Sequence, residues 1–228
     1  MNNLKEVYRK IAHAAMRAGR SPEEVKLIAV SKGVGAEKVK NAVENGIREL
    51  GENRVQEAQE KIAIIKASLP ESRVKWHLIG HLQKNKAKLA VNLFEMIHSV
   101  DSLELAVLID KCAAETGKKL KILIQVKLSD EESKYGIKKD NLIEILGGVM
   151  HLGNLKVEGL MTIPPYFDDP QKVRPFFREL RELKDNAVQA GFGLTELSMG
   201  MSNDFEVAIE EGATMVRVGT AIFGERSC

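Results

Sequence analysis

The sequence predicts an α/β fold in which a single (β/α)8 barrel of the TIM type follows an extra N-terminal helix. Eight short apolar runs alternate with amphipathic stretches along the chain, and helices that return the chain between strands imply parallel pairing. The length of 228 residues is close to the roughly 250 residues typical of such a barrel. Eight units within that length favour closure over an open sheet.

The first predicted element is a helix, because Leu4, Val7, Ile11 and Ala14 recur at helical spacing before Gly19. Short runs rich in apolar and β-branched residues are predicted to be strands; they cover 26–31, 48–50, 74–79, 96–100, 121–127, 156–161, 196–198 and 215–218. Stretches with apolar residues at three- and four-residue intervals are predicted to be helices; they cover 36–45, 52–68, 103–116, 141–150, 173–190 and 205–211. No low-complexity linker interrupts this series, so we expect one domain over residues 1–228.

The main alternative fold is a doubly wound open sheet. Members of that class that bind dinucleotides carry a GxGxxG turn after the first strand. Here Lys32-Gly33-Val34-Gly35 contains only a fragment of that turn. The glycine pattern therefore favours the barrel.

The composition predicts a small-molecule partner. Hydrophobic residues make up 44% of the chain, which is enough for a sizeable core. The 34 basic and 32 acidic residues leave a net charge of +2, which gives no general attraction to nucleic acid or to an anionic membrane. We therefore expect neither of these as a partner.

The N-terminal segment and the cysteines predict a cytoplasmic protein. The segment carries charges and a helical pattern in place of the layout of a signal peptide, and no apolar run approaches the length that spans a bilayer. Cys112 and Cys228 are far apart and match no CxxC spacing, so we expect reduced thiols.

Lys32 directly follows the first predicted strand, at the end where parallel barrels carry their functional sites. Desolvation at the end of an apolar run favours the neutral, nucleophilic amine that a Schiff-base lysine needs. Position alone still favours a lysine that extends to solvent, since most lysines are solvated. Lys127 ends the fifth predicted strand in the same way and is an internal competitor.

Two loops that contain glycine and hydroxyl residues follow the last two predicted strands. The first contains Ser198, Gly200 and Ser202, and the second contains Gly219 and Thr220. Glycine lets backbone N–H groups approach an anion, and helix N-termini add partial positive charge. Phosphate-binding barrels often hold phosphate at these two loops. The pair therefore predicts a phosphate site, although either loop alone would also fit simple turn chemistry.

His77 and His81 raise the alternative of a metal site, because two histidines four residues apart can share one helical face. However, His77 lies within a predicted strand and His81 in the loop after it, and neither a carboxylate nor a cysteine stands nearby at ligand spacing. Structural histidines are the favoured interpretation, and we expect no metal. The basic stretch 83–88 has no interleaved aromatic residue, which indicates a solvated helix face.

The order and spacing of several short motifs resemble those of the pyridoxal 5′-phosphate (PLP) homeostasis proteins, a family related to the barrel domain of bacterial alanine racemases. The similarity extends over nearly the whole chain. The motifs are Ala29-Val30-Ser31-Lys32, Gly51-Glu52-Asn53, Gln56-Glu57, Trp76-His77-Leu78-Ile79-Gly80, Leu82-Gln83, Asn85-Lys86, Ser133-Lys134-Tyr135-Gly136, Gly159-Leu160-Met161, Leu197-Ser198-Met199-Gly200-Met201-Ser202 and Arg217-Val218-Gly219-Thr220-Ala221-Ile222-Phe223-Gly224. No single motif is decisive, but the set is specific.

The resemblance implies a set of residues that hold PLP. By similarity, Lys32 forms the Schiff base with the aldehyde, Arg217 faces the pyridine nitrogen and Asn53 lies beside the ring edge. The residues that the resemblance assigns to the phosphate, through side chains or backbone groups, are Ser198, Gly200, Met201, Gly219 and Thr220.

The resemblance also implies a PLP carrier or regulator, not an enzyme. A cation beside the pyridine nitrogen disfavours protonation of that nitrogen and weakens the ring as an electron sink. Alanine racemases take a second acid/base group from a C-terminal β domain, and this sequence ends soon after its last predicted strand, so we expect no such group. PLP-dependent apoenzymes are then the expected recipients, and a monomer the expected working form.

Two other functions stay open from the sequence. A PLP-dependent amino-acid racemase or decarboxylase would use the same lysine, and a PLP-free phosphate-binding barrel such as a sugar-phosphate isomerase would need only the two loops. The chain also departs from the family pattern, since Lys127 stands where relatives often have asparagine and Gly33-Val34-Gly35 replaces turns with threonine and proline. Lys127 is therefore a second candidate amine.

Overall fold

Eight parallel strands close into a barrel in the computed structural model of the chain, which describes residues 2–129, 131 and 135–225. The strands are β1 (Lys26–Val30), β2 (Glu49–Glu52), β3 (Lys75–Leu78), β4 (Met96–Val100), β5 (Leu120–Lys127), β6 (Ile137–Lys138), β7 (Leu155–Met161), β8 (Glu196–Ser198) and β9 (Met215–Val218). The two-residue β6 pairs with the end of β5 as a side branch. The other eight form a ring, in which β5 pairs with β7 and β9 returns to pair with β1. The predicted (β/α)8 barrel is therefore confirmed.

Helices connect the strands and surround the ring. Their bounds are α1 (Asn2–Arg17), α2 (Ala36–Glu44), α3 (Val55–Ser68), α4 (Ala87–Leu93), α5 (Leu103–Thr116), α6 (Leu142–Met150), α7 (Arg174–Gln189), α8 (Phe205–Glu210) and α9 (Thr220–Phe223). The predicted extra helix is α1, which packs against α8. Arg17 at its end donates hydrogen bonds to Glu206 and Glu210 of α8. The N-terminal helix is thus attached to the last part of the barrel.

The sequence prediction was wrong about where the third helix begins. We expected a helix from residue 52, but Glu52 is the last residue of β2 and pairs with Leu78, while α3 begins at Val55. The backbone N–H of Ile79 donates to the Glu52 carbonyl over 2.9 Å. The neighbouring strand therefore overrides the helical propensity of this segment.

The apolar core has two layers, one between barrel and helices and one inside the barrel. The residues of the inner layer are Ile28, Met96, Leu123, Met161 and Met215. Alternate residues of a strand share one face, so His98 follows Met96 into the interior and Arg217 follows Met215. The barrel interior is therefore apolar in part and polar in part.

Within the described parts of the chain, no helix is both long enough and apolar enough to cross a membrane. Cys112 is a buried free thiol on α5. Three residues named in the sequence analysis, Ser133, Lys134 and Cys228, lie outside the described residues.

Candidate functional site

The lysine loop and the second glycine loop lie side by side at the C-terminal ends of the strands, a region that we call the rim. Lys32 follows β1 and is half-buried, while Gly219 and Thr220 follow β9, which pairs with β1. A Cβ atom on Gly219 would lie 3.3 Å from the carbonyl oxygen of Val30. Closure of the ring thus brings together residues from the two ends of the sequence.

Arg217 is a cation fixed inside the barrel just below these loops. Its guanidinium donates to the Ser198 hydroxyl over 2.6 Å and to the Thr162 carbonyl over 2.8 Å, and the residue is 3% exposed. Burial lowers the pKa of Arg217 to about 10, although the nearby Asp204 opposes this shift. The side chain therefore remains charged at neutral pH.

The loop after β8 is a tight turn that needs glycine. Gly200 has a φ of +91°, and a Cβ atom there would be 2.6 Å from the Cβ of Ala208. The backbone N–H of Met201 donates to the Asp204 carboxylate over 2.6 Å. Burial raises the pKa of Asp204, while this hydrogen bond and the charge of Arg217 oppose the shift. Positive φ and close packing together fix the path of this loop.

Ser202 connects the loop after β8 to the loop after β9. Its hydroxyl oxygen accepts from the backbone N–H of Gly219 over 3.2 Å and from that of Ala221 over 3.5 Å. Thr220 is exposed beside them. The two predicted phosphate loops thus form one continuous surface.

Ser198 occupies a different place from the one that the sequence suggested. We expected its hydroxyl at the phosphate, but it is fully buried and bonds to Arg217 and to His98 Nδ1. Ser198 ends β8, where the pleat turns it into the barrel, whereas Ser202 lies in the loop beyond. Ser202, which the sequence presents only as part of the loop, therefore adds its hydroxyl to that of Thr220 at the rim.

Three charged side chains and one hydroxyl, of which only Glu57 is partly exposed, lie together behind β1 and β2. We call these residues, Ser31, Glu52, Glu57 and Lys61, the ion cluster. Lys61 Nζ donates to the carboxylates of Glu52 and Glu57, each over 2.7 Å, and to the Ser31 carbonyl over 2.5 Å. Glu52 also accepts from the Ser31 hydroxyl over 2.6 Å. Burial raises the pKa of Glu52, although Lys61 and Ser31 oppose the shift.

The ion cluster holds the backbone on both sides of Lys32. On one side the Ser31 carbonyl is bonded to Lys61, and on the other the Glu57 carboxylate accepts from the N–H of Gly33 over 2.5 Å. These two contacts join α3 to the end of β1, at separations of 30 and 24 residues in the sequence. The sequence shows the acidic residues within its motifs, but it gives no indication that Lys61 is buried.

A second buried network, which we call the interior chain, runs through the barrel from Glu49 through His77, His98 and Ser198 to Arg217. His77 Nε2 lies 2.6 Å from the Glu49 carboxylate, His77 Nδ1 lies 2.9 Å from His98 Nε2, and His98 Nδ1 lies 2.9 Å from Ser198 Oγ. Both ring nitrogens of each histidine therefore have protein partners.

Electrostatics in the interior chain favour a neutral imidazole at His98 and charged side chains at the two ends, Glu49 and Arg217. Burial, together with the nearby His77, Arg217 and Lys26, holds the pKa of His98 well below its usual range. Burial alone would raise the pKa of Glu49, but the hydrogen bond from His77, together with the nearby Lys75, outweighs it and lowers that pKa. Glu49 is therefore a carboxylate at neutral pH.

The metal alternative has no support among the described residues, where no group of three or more potential metal ligands comes together. His81 bonds to Asp101 over 3.2 Å and stacks on Tyr135 with ring centroids 3.8 Å apart. Both His81 and Tyr135 line a rim depression of about 440 Å³ together with Asn53. Asn53 is thus at the rim, as the sequence predicted.

Lys127 lies across the barrel from Lys32, because β5 is the fourth strand from β1 in either direction round the ring of eight. It lines a separate depression of about 530 Å³ with Ser129 and Lys138. The two candidate amines thus belong to opposite sides of the rim.

Comparisons by sequence place the chain among known proteins. The model of the family described as "Alanine racemase, N-terminal domain" matches residues 3–227. The Pyridoxal phosphate homeostasis protein of Aquifex aeolicus is 45% identical over 224 residues, which are 98% of this chain and 96% of the relative. The protein of the same name from Escherichia coli is 41% identical over 232 residues, with 99% and 96% covered.

Comparisons by structure agree. PipY of Synechococcus elongatus, solved with PLP bound, has a TM-score of 0.83 at 41% identity, covering 94% of this chain and 100% of that chain. A protein from Bifidobacterium adolescentis, described as unknown, reaches 0.92 at 36% identity, covering 97% and 93%. An alanine racemase from Clostridium difficile, 18% identical with a TM-score of 0.76, covers 100% of this chain and 58% of that chain. This last likeness shows the shared fold alone.

Proposed function

Because this chain belongs to the alanine racemase N-terminal domain family and, within it, to the pyridoxal phosphate homeostasis proteins, we propose that it binds PLP and keeps it available for other proteins without turning over a substrate. The observation that carries this proposal is the buried cation Arg217 beneath a rim that offers both a lysine and two glycine loops. The PLP-bound structure of PipY supports the same cofactor.

The groups at the rim match those of PLP. When bound, PLP supplies an aldehyde that condenses reversibly with a primary amine. We assign Lys32 as that amine, since the ion cluster anchors the backbone on both sides of it. Arg217 is assigned to the pyridine nitrogen, and Asn53, which lines the adjoining depression, to the ring edge.

The two joined loops supply the donors for a phosphate. Backbone N–H groups and a hydroxyl are the usual ligands of a phosphate at such loops. The residues that we assign to it are Gly200, Met201, Ser202, Gly219 and Thr220. Ser198 acts indirectly in this assignment, since its hydroxyl bonds to Arg217.

The charge of Arg217 favours a carrier over a catalyst. With a pKa of about 10, the guanidinium stays protonated at neutral pH and disfavours protonation of a neighbouring pyridine nitrogen, which weakens the ring as an electron sink. We further propose that PLP-dependent apoenzymes are the recipients, that the protein acts as a monomer, and that it works in the cytoplasm.

The test of PLP binding is borohydride reduction of the purified protein with PLP, followed by peptide mass analysis. We expect the added mass on the peptide that contains Lys32, and its loss in Lys32→Ala. Lys127→Ala is the matched control, because Lys127 also ends a barrel strand, and it should keep the modification. Modification of Lys127 alone, or no modification, would refute the assignment.

Catalytic turnover is tested separately, by deuterium exchange at the α-carbon of amino acids in the presence of the PLP-loaded protein. We expect no exchange above that produced by free PLP. Rapid exchange that depends on Lys32 would establish an enzyme and refute the carrier function.

A further inference from the structure

The interior chain has one direction that satisfies all of its hydrogen bonds. Arg217 can only donate, so Ser198 Oγ accepts from it and points its own hydrogen to His98 Nδ1. His98 then carries its proton on Nε2 and donates to His77 Nδ1. By the same step, His77 donates from Nε2 to Glu49. Every donor thus points away from Arg217 and towards the Glu49 carboxylate.

The opposite direction would leave a buried hydrogen without a partner. If His77 donated to His98, its unprotonated Nε2 would face the Glu49 carboxylate, two acceptors 2.6 Å apart, and His98 would donate to Ser198. Ser198 would accept two hydrogen bonds, and the described residues would offer no acceptor for its own hydrogen. Because Ser198 is fully buried, water cannot replace that acceptor, and an unpaired buried donor is unfavourable. The direction towards Glu49 is therefore the stable one.

We propose that Glu49 is a positioning residue for Arg217, because as the terminal acceptor it fixes the direction of the interior chain and so the lone pair that Ser198 presents to the guanidinium. Glu49 begins β2, at the end of the barrel opposite the rim. Its effect on the site therefore crosses the barrel interior. The inference rests on the proposed function in one respect only, namely that Arg217 faces PLP.

The first test measures the tautomers of His77 and His98 by nitrogen NMR in the full chain before PLP is added. We expect an unprotonated Nδ1 and a protonated Nε2 in both rings, and a single set of slowly exchanging guanidinium signals for Arg217. A protonated Nδ1 on either ring would overturn the proposal. This measurement needs no substitution, so it does not depend on the folding of a variant.

Substitutions at Glu49 separate its hydrogen bond from its charge. Glu49→Leu removes the acceptor at one end of the chain while Arg217 still constrains the other end, so we expect His77 to populate both tautomers and the guanidinium protons of Arg217 to exchange faster. Glu49→Gln keeps an oxygen acceptor and should restore the wild-type tautomers. Unchanged tautomers and unchanged Arg217 signals in Glu49→Leu would contradict the proposal.

Glu196→Leu is the matched control. Glu196 is also a partly buried carboxylate at the start of a barrel strand, and it bonds to Lys26 and Thr214, outside the interior chain. We expect the tautomers of His77 and His98 to stay as in wild type. A change equal to that in Glu49→Leu would mean that general loosening of the barrel, and not the terminal acceptor, sets the tautomers.

The second test titrates the same proteins with PLP and follows its absorbance. Glu49→Leu should bind PLP about fivefold more weakly, the effect of one lost hydrogen bond, and should shift the absorption band. Glu49→Gln should lose less, and Glu196→Leu should match wild type. Normal binding and spectrum in Glu49→Leu despite changed tautomers would refute the positioning role. Failure of wild type to bind PLP, with the expected tautomers, would refute the proposed function alone.

Discussion

The interior chain and the ion cluster both support the rim, but they are built differently. The interior chain connects a cation and a carboxylate, Arg217 and Glu49, through two imidazoles and a hydroxyl. The ion cluster instead brings Lys61 within 2.7 Å of two carboxylates, Glu52 and Glu57. The charges of the interior chain are therefore separated by the depth of the barrel, whereas those of the ion cluster lie in direct contact behind β1 and β2.

The two networks fix different properties of the rim. In the interior chain each hydrogen bond determines whether the next group donates or accepts, so the network fixes the direction in which all of its hydrogen bonds are donated. In the ion cluster Glu52 Oε2 is buried without a hydrogen bond among the described residues, and burial raises the pKa of this carboxyl. Buried charges of this kind are costly and contribute little net stability, but removal of one partner is severe. The cluster thus fixes the position of the backbone beside Lys32.

The largest effect is expected for Lys61→Met, which removes the cation of the ion cluster. Glu52 is fully buried and Lys61 is 7% exposed, so the substitution would leave an uncompensated carboxylate and lower the free energy of unfolding by about 3–5 kcal/mol. Urea denaturation at pH 7 measures it. Lys66→Met is the control on the exposed face of the same helix, with an expected change within about 0.5 kcal/mol.

A much smaller loss in the free energy of unfolding of Lys61→Met would remove the difference in charge between the two networks. It would mean that Glu52 is protonated in the folded protein and that the cluster, like the interior chain, holds one cation and one carboxylate.

Gly200→Ala should have the next largest effect, a loss of about 1–3 kcal/mol in the free energy of unfolding. Alanine strains at a φ of +91°, and its Cβ would be 2.6 Å from the Cβ of Ala208. The Gly200 carbonyl accepts from the Arg217 N–H over 3.0 Å, so the imidazole NMR signals of the interior chain should shift. The NMR signals of the ion-cluster side chains should stay constant. Gly153→Ala, which meets nothing within 4 Å, is the control. Equal losses in both variants would refute the argument from strain.

Opposite pH dependences should distinguish the two networks. The pKa of Glu49 is lowered below 4.5 by the balance of burial against His77 and Lys75, so its contribution to stability is present above pH 4.5 and is lost as the pH falls through the folded-state pKa. The pKa of Glu52 is raised above 4.5 by burial, so its contribution is present below pH 4.5 and is lost as the pH rises.

The measurement is the free energy of unfolding of wild type, Glu49→Gln and Glu52→Gln from acid to neutral pH. Relative to wild type, Glu49→Gln should become less destabilised as the pH falls, and Glu52→Gln should become less destabilised as the pH rises, each by on the order of 1 kcal/mol. If the destabilisation changed with pH in the same direction in both variants, the two networks would not differ in their pH dependence.

Lys75→Ala should have the smallest effect. Lys75 Nζ lies 3.3 Å from the Glu49 carboxylate and its side chain is largely exposed, and such pairs contribute about 0.5 kcal/mol or less. The pKa of Glu49, followed by carbon NMR, should rise only slightly, because His77 outweighs Lys75 in lowering it. A larger change than in His77→Ala would show that the carboxylate depends on the surface cation and not on the interior chain.

The fold was predictable because its signals are local. Several barrel strands are short, largely apolar runs, as in Lys26–Val30 and Met215–Val218, and the helices between the strands leave parallel pairing as the natural arrangement. The boundary at Glu52 was missed because its strand partner comes from β3. A partner on another strand is invisible in the local pattern.

The site was predictable where it depends on position along a strand. Lys32 and the two glycine loops follow strand ends, and parallel strands bring their ends to one rim. The pleat, and not residue type, decides which hydroxyl enters the barrel, so Ser198 lies inside it and Ser202 in the loop beyond. Lys61 and His98 were not predicted to form networks, since their partners are distant in sequence.

The seam between β1 and β9 forms late in synthesis. Lys32 is made well before Gly219 and Thr220, and a barrel of this kind depends on pairing between remote segments. For much of translation the loop after β1 therefore has neither of these two residues beside it. A chain in which the seam has closed has thus been made at least as far as β9.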